Sequence, residues 1–236
     1  MSNAARAIVV IPTYNERENI GPLLRAVLAA EERLDALVVD DDSPDGTARV
    51  AQELARTTPR VQILVRYRDR GRGSAGREGF LECLRLGYGL ICEMDADFSH
   101  NPADIPRLLA AAQDADVVIG SRLVAGGSEE GRTWARTLVT LLASAYLRLA
   151  LGVPRVRDCT SGFRCFRREA LEQANVASLR SRGPSIVTEL LFRCRRLRIR
   201  EVPIDFRDRR AGRSKFSFRA MRDSLILPWL MRRRGQ

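Results

Sequence analysis

Short apolar runs recur through the first half of the chain, at residues 7–12, 36–41, 61–66, 89–95 and 116–121, and each stops at polar or turn-forming residues. Runs of this length, rich in valine, isoleucine and leucine and barely alternating, predict strands buried on both faces. The stretches between them, 18–30, 46–55, 75–86 and 102–112, carry apolar residues at helical spacing. Strand and helix in alternation predict an α/β fold: a mostly parallel central sheet with helices on both faces.

After residue 121 the pattern changes. A glycine-rich loop, Ala125-Gly126-Gly127, leads into a long apolar-rich segment over 134–151, interrupted by Arg136 and Arg148. Segment 157–166 follows, then a predicted helix over 186–197, a strand over 199–206, a basic loop to Lys215 and an amphipathic piece ending at Met231. No internal repeat, low-complexity linker or shift in composition divides the chain, so a single domain over 1–236 is expected.

Open parallel sheets bind ligands at the carboxyl ends of their strands. Polar clusters fall at three such ends here: Thr13-Tyr14-Asn15-Glu16, Asp40-Asp41-Asp42-Ser43 and Asp95-Ala96-Asp97. In the last, two carboxylates one residue apart at a strand end can hold a hard divalent cation whose shell is completed by substrate phosphates. In the second, one aspartate can cap the helix that opens at Pro44-Asp45-Gly46 while another faces a ligand. Asn101-Pro102 makes His100, the sole histidine, look like part of a helix entry, and Glu189 is a candidate buried structural or acceptor-side carboxylate.

Charge narrows the partner. The chain has 40 basic residues against 29 acidic ones, a net charge of +11, and Lys215 is its only lysine. Such a balance fits nucleotide phosphates, an anionic membrane surface or a nucleic acid. A nucleic-acid binder is disfavoured, because aromatic residues make up only 6% and no recognition motif is present. Three acidic clusters at strand ends would also repel a phosphate backbone. No apolar run is long enough to span a bilayer. The N-terminus lacks a secretory pattern, and five cysteines without a CxxC fit reduced thiols, so a cytoplasmic location is expected.

The motifs occur in one order: VIPTYNE from Val10 to Glu16, VVDDDSPDGT from Val38 to Thr47, MDADFSH from Met94 to His100, GSR from Gly120 to Arg122, and DRRAGRSK from Asp208 to Lys215. In this set the chain resembles the inverting family 2 glycosyltransferases of GT-A fold, and within them the dolichol-phosphate (polyprenol-phosphate) mannosyltransferase branch. The resemblance spans about residues 7–216. It implies transfer of mannose from GDP-mannose to a polyprenyl monophosphate with inversion, the same chemistry with UDP-glucose or another nucleotide sugar being the nearest alternative. It also implies a nucleotide-sugar-binding part over about 7–121 and an acceptor-side part over about 122–236.

Residue by residue, the resemblance implies that Pro12, Tyr14, Glu16, Val39 and Asp41 line the base and ribose. Asp95, Ala96 and Asp97 would meet the diphosphate, with Asp97 the main ligand of Mg²⁺ or Mn²⁺, Asp95 assisting and Ser99 in a weaker or water-mediated position. Arg122, Arg209 and Lys215 match basic residues that meet the donor diphosphate or the acceptor phosphate, so Asp97, Arg209 and Lys215 are the expected catalytic groups. Gly71 to Ala75 resembles the family's glycine-rich segment, although the residues after it depart from the pattern. A lipid-linked acceptor further implies attachment to the cytoplasmic membrane face, directly or through a membrane partner protein. Segments 134–151 and 217–231 are candidate interfacial helices, with Arg232, Arg233 and Arg234 beside the second; the competing expectation is that their apolar faces are core. A basic membrane scaffold without catalysis is the remaining alternative, against which the acidic pair, Arg209 and Lys215 argue.

Overall fold

The computed structural model describes residues 6–131, 133–207 and 226–231. The alternation predicted for the first half is observed: β1 (Ala7–Thr13), α1 (Arg17–Ala30), β2 (Leu34–Asp40), α2 (Thr47–Thr57), β3 (Val61–Val65), α3 (Arg72–Arg85), β4 (Leu90–Glu93), α4 (Ile105–Ala111) and β5 (Val117–Ser121). The second half adds β6 (Ser128–Glu130), α5 (Trp134–Leu151), β7 (Arg164–Arg167), α6 (Arg168–Gln173), α7 (Ile186–Arg193), β8 (Ile199–Pro203) and β9 (Asp205–Arg207). A last helical turn covers 226–231.

Seven strands form one sheet in the order β3-β2-β1-β4-β7-β5-β8, and β6 pairs with β9 in a second, two-stranded sheet. All pairs are parallel except those of β7, which runs antiparallel between β4 and β5. The order grows one way from β1 through β2 to β3 and the other way from β4. The crevice at the carboxyl ends of β1 and β4 is therefore the switch point where such sheets take ligands.

Side chains alternate between two cores. Ile8, Val10, Leu37, Val39 and Ile91 point to the α3 and α7 side, against Phe80, Ile186 and Leu190. Val9, Ile11, Ala36, Val38 and Cys92 point to the α1 and α4 side, against Leu23, Leu24, Val27 and Leu108. Each fully buried aliphatic side chain contributes about 1.5–3 kcal/mol relative to exposure, so the sheet is a rigid base for the loops at its edge.

Several boundaries differ from expectation for local reasons. The strand expected over 89–95 ends at Glu93, which leaves Asp95 and Asp97 on the loop. The helix expected from residue 75 begins at Arg72, because Arg182 O accepts its Gly73 N–H (2.8 Å) and Ser74 N–H (3.3 Å). The helix expected to reach 197 closes at Arg193. The strand expected over 199–206 breaks at Ile204: β8 pairs with β5, whereas β9 leaves to pair with β6. The long segment is a helix over the expected 134–151, yet Trp134, Leu142 and Leu149 on it are exposed. No helix among the described residues is long and apolar enough to cross a membrane.

Candidate active site

The β1 and β2 ends are joined into one platform by short polar side chains. Asp40 is fully buried and accepts from Thr13 Oγ1 (2.9 Å), Ser43 N (2.8 Å) and Ser43 Oγ (2.6 Å). Its negative charge is thus spent on closing the turn. Ser43 Oγ in turn accepts from Asn15 N (3.0 Å), and Thr47 Oγ1 accepts from Glu16 N (2.9 Å). Asp45 accepts from Thr47 N and Oγ1 at 2.9 and 2.6 Å and from Arg17 N at 3.1 Å. Burial pushes the Asp45 carboxyl up, but these hydrogen bonds outweigh it and hold the group below its ordinary value. Asp41 pairs with buried Arg66 and accepts from Gly71 N (2.6 Å), which ties the end of β2 to the loop before α3. The aspartate run therefore has divided duties, with Asp40 and Asp45 holding turns.

Tyr14 stands exposed on this platform, and Glu16 accepts from Asn19 Nδ2 (2.8 Å) at the head of α1. Pro12 and Val39 are direct partners in the β1–β2 register, with the Val39 side chain buried in the α3-side core.

Beyond β4 the chain turns sharply. Asp97 is buried and its Oδ1 accepts from the N–H of Ser99 (3.1 Å), itself buried; Phe98 between them has φ 61°. Ala96 is buried too, whereas Asp95 is partly open and accepts from Arg72 Nε (3.3 Å) and Nη2 (3.1 Å). The Asp95 N–H donates to His100 Nδ1 (3.2 Å). His100 is buried, stacked on Phe163 at 5.0 Å and met edge-on by Phe206 at 5.8 Å. Burial depresses its basicity against the pull of Asp95 and Asp97. His100 thus supports the acidic loop from beneath.

Asp95 and Asp97 offer the hard oxygen donors that Mg²⁺ or Mn²⁺ takes. Among the described residues no group of three His, Cys, Asp or Glu side chains gathers around one point. A pair of carboxylates suits a cation that keeps waters and completes its shell with substrate phosphates, so the donor set fits such a metal.

The basic residues sort differently. Arg122 is half-buried as a residue, with its side chain only 7% exposed, and gives its guanidinium to Asp158 (2.7 and 2.8 Å), Thr160 Oγ1 (2.7 Å) and Glu129 (3.4 Å). Arg209 and Lys215 lie outside the described residues. Glu189 is buried and accepts from the backbone of Arg180 (3.2 Å) and Ser181 (2.9 Å) while pairing with Arg193 at 3.1 Å. It fixes the loop against which the first turn of α3 rests. Sequence reasoning missed Arg72, although it sits inside the glycine-rich segment, and missed Asp158, whose sequence neighbours carry no recognisable signal.

Residues 8–174 match the family model described as glycosyl transferase family 2. The chain is 41% identical over 235 residues to the polyprenol monophosphomannose synthase of Mycolicibacterium smegmatis, covering 97% of this chain and 88% of that one. It is 41% identical over 214 residues to the undecaprenyl-phosphate mannosyltransferase of Micrococcus luteus, covering 90% and 88%. Against the dolichol-phosphate mannosyltransferase of Pyrococcus furiosus it is 38% identical over 213 residues, 88% of this chain but 58% of the relative. In fold it is similar to glucosyl-3-phosphoglycerate synthase from Mycobacterium tuberculosis in complex with Mn²⁺, UDP and glucosyl-3-phosphoglycerate, with TM-score 0.72 and 20% identity over 97% of this chain and 80% of that one. A switch-point crevice with a polar platform on one side and an acidic loop on the other, together with a family match over most of its length, makes this chain a glycosyltransferase of family 2.

Proposed function

We propose that this enzyme transfers mannose from GDP-mannose to a polyprenyl monophosphate, giving polyprenyl-phosphate mannose with inversion at the anomeric carbon. The observation that carries this reading is the 41% identity, over nearly the whole chain, to a polyprenol monophosphomannose synthase.

In this reading Pro12, Tyr14, Glu16, Val39 and Asp41 form the base and ribose end of the crevice, and Asp95, Ala96 and Asp97 the diphosphate end. Asp97 and Asp95, with Ser99 close by, would hold a Mg²⁺ or Mn²⁺ ion, which would supply positive charge to the leaving diphosphate. An oxygen of the acceptor phosphate attacks the anomeric carbon from the face opposite the diphosphate. The bond from that carbon to the diphosphate oxygen breaks, and its electron pair leaves with GDP. The attacking oxygen is already anionic at neutral pH, so no general base is required, and buried His100 is free to serve the loop. Arg209 and Lys215 are assigned to the charges of the two phosphate groups, whereas the expected phosphate role of Arg122 is not retained, because its guanidinium is taken up by Asp158, Thr160 and Glu129.

A lipid acceptor calls for a membrane-facing surface. Trp134, Leu138, Leu142 and Leu149 on α5 and Ile226, Trp229 and Leu230 on the last helical turn expose large apolar side chains. Trp229 Nε1 donates to Tyr146 on α5 (2.9 Å), so the two segments share one side. Tryptophan at such a surface suits the headgroup region, and arginine-rich flanks suit anionic lipid. This supports a peripheral membrane enzyme; the cytoplasmic face, and a membrane partner protein or none, are part of the proposal.

The test is incubation with Mg²⁺, a polyprenyl phosphate and a panel of labelled nucleotide sugars. Label from GDP-mannose should pass into the organic phase. Label from a different donor alone, or from none, overturns the assignment.

A further inference from the structure

The first residue of α3 places a cation among the carboxylates of the acidic loop. Arg72 Nη1 is 3.1 Å from Glu93 Oε1, while Nε and Nη2 are 3.3 and 3.1 Å from Asp95 Oδ1. Glu93 is the last residue of β4, 1% exposed, and points to the α3 side of the sheet. A buried carboxylate needs a charged partner, and Arg72 is held in place by supplying it.

Glycines make the room for this arrangement on both sides. A Cβ on Gly76, one turn along α3, would lie 2.7 Å from Glu93 Oε1. A Cβ on Gly162 would lie 2.9 Å from Arg72 Nη2. Gly76 thus leaves room for the Glu93 carboxylate and Gly162 for the guanidinium, which has one anchor in the core and the other prong on Asp95.

We propose that Arg72 is a positioning residue and a resident counter-cation of Asp95, weakening the binding of a divalent metal alone while favouring the nucleotide diphosphate. The proposal rests on the reading of Asp95 and Asp97 as the metal and diphosphate end of the crevice. A fixed positive charge beside one carboxylate opposes an incoming divalent cation and attracts an incoming diphosphate. The two affinities therefore respond to Arg72 in opposite directions. A residue that merely braced the loop would weaken both when removed.

The test uses Mn²⁺ alone, followed by the electron paramagnetic resonance signal of the free ion, and GDP alone in chelator, followed by equilibrium binding. In Arg72→Gln, Mn²⁺ should bind about fivefold or more tightly and metal-free GDP about fivefold or more weakly. Arg72→Lys, which keeps the charge, should stay near wild type in both. If Arg72→Gln fails to fold because Glu93 is left unpaired, the double variant Arg72→Gln/Glu93→Gln should show the same opposed shifts at smaller size. Unchanged Mn²⁺ affinity in a folded variant, or loss of both affinities together, overturns the proposal. If wild type binds no Mn²⁺ even with GDP present, the metal reading of the acidic loop fails, and the proposal falls with it.

Discussion

Arg122 and Asp158 form a buried two-pronged ion pair, with Nε 2.7 Å from Oδ2 and Nη2 2.8 Å from Oδ1. The same carboxylate accepts from the N–H groups of Arg122, Thr160 and Ser161 at 3.1–3.2 Å. It therefore fastens the end of β5 to the chain entering β7. Burial pushes the Asp158 carboxyl up, but the hydrogen bonds and charge of Arg122 outweigh that and hold it below its ordinary 3.8. A depressed folded-state value means that the unfolded chain takes up the proton first as pH falls. This contribution to stability is present at neutral pH and is lost as the solution is acidified below about pH 4. Removing one partner of a buried pair costs about 3–5 kcal/mol. Asp158→Ala should lower the urea midpoint by a corresponding amount, and its stability should vary less with pH below 4 than that of wild type. A variant as stable as wild type would show the pair to be of no consequence.

The His100 imidazole supports Asp95 through one accepted hydrogen bond and is held between Phe163 and Phe206. His100→Phe keeps an aromatic ring in that slot but leaves the Asp95 N–H without its acceptor, a loss of about 1–3 kcal/mol. Displacing the acidic loop should also slow transfer by about tenfold or more, since reacting groups tolerate little misplacement. Denaturation and steady-state kinetics measure the two effects. Undiminished turnover in the variant would remove His100 from the support of the site.

Asp97→Asn should keep the fold, because the amide oxygen can still accept from Ser99 N, yet reduce transfer by at least about a hundredfold through loss of charge at the metal. Excess chelator should abolish wild-type transfer in the same assay. Full activity under either condition would contradict metal-assisted departure of the diphosphate.

Arg209→Ala and Lys215→Ala test the basic segment that lies outside the described residues. If these cations act on the reacting phosphates, turnover should fall by about tenfold or more while GDP affinity changes less. Equal losses in the two measurements would make them donor-binding groups only.

The alternation of β1 through β5 was legible because buried parallel strands leave uninterrupted apolar runs, and the acidic pair stood out by following one of them. The strand β7 was not legible, since two of the four residues in Arg164–Arg167 are arginines. It is an interior strand because those arginines find backbone acceptors. Arg164 donates to the carbonyls of Cys159, Ser161 and Val187, and Arg167 to those of Ala112 and Ala115. The duties of Asp40, Asp158 and Arg72 were hidden for a related reason. Each depends on partners brought close only by the tertiary fold, and residue type alone does not separate a turn-closing aspartate from a ligand-facing one.

The last helical turn divides its side chains between two environments. Met231 is buried, and partly buried Leu227 packs against the α3-side core, whereas Ile226, Trp229 and Leu230 face outward. The expectation of core holds for Met231 and Leu227, while the outward side chains are where the expectation of an interface is to be tested, so deleting the segment would confound the two. Met231→Ala should cost about 2–5 kcal/mol in unfolding free energy, as for other buried aliphatic truncations. Trp229→Ser with Leu230→Ser should cost less stability than Met231→Ala and leave GDP binding close to wild type, because both side chains are largely exposed and Trp229 gives up one exposed hydrogen bond to Tyr146. The same pair should reduce sedimentation with anionic liposomes, since inserting such side chains contributes about 25 cal/mol per Å² removed from water. Adding Trp134→Ser and Leu142→Ser on α5 should reduce it further. If the four-fold variant sediments as well as wild type, this face is not the membrane contact and attachment must come from other surfaces.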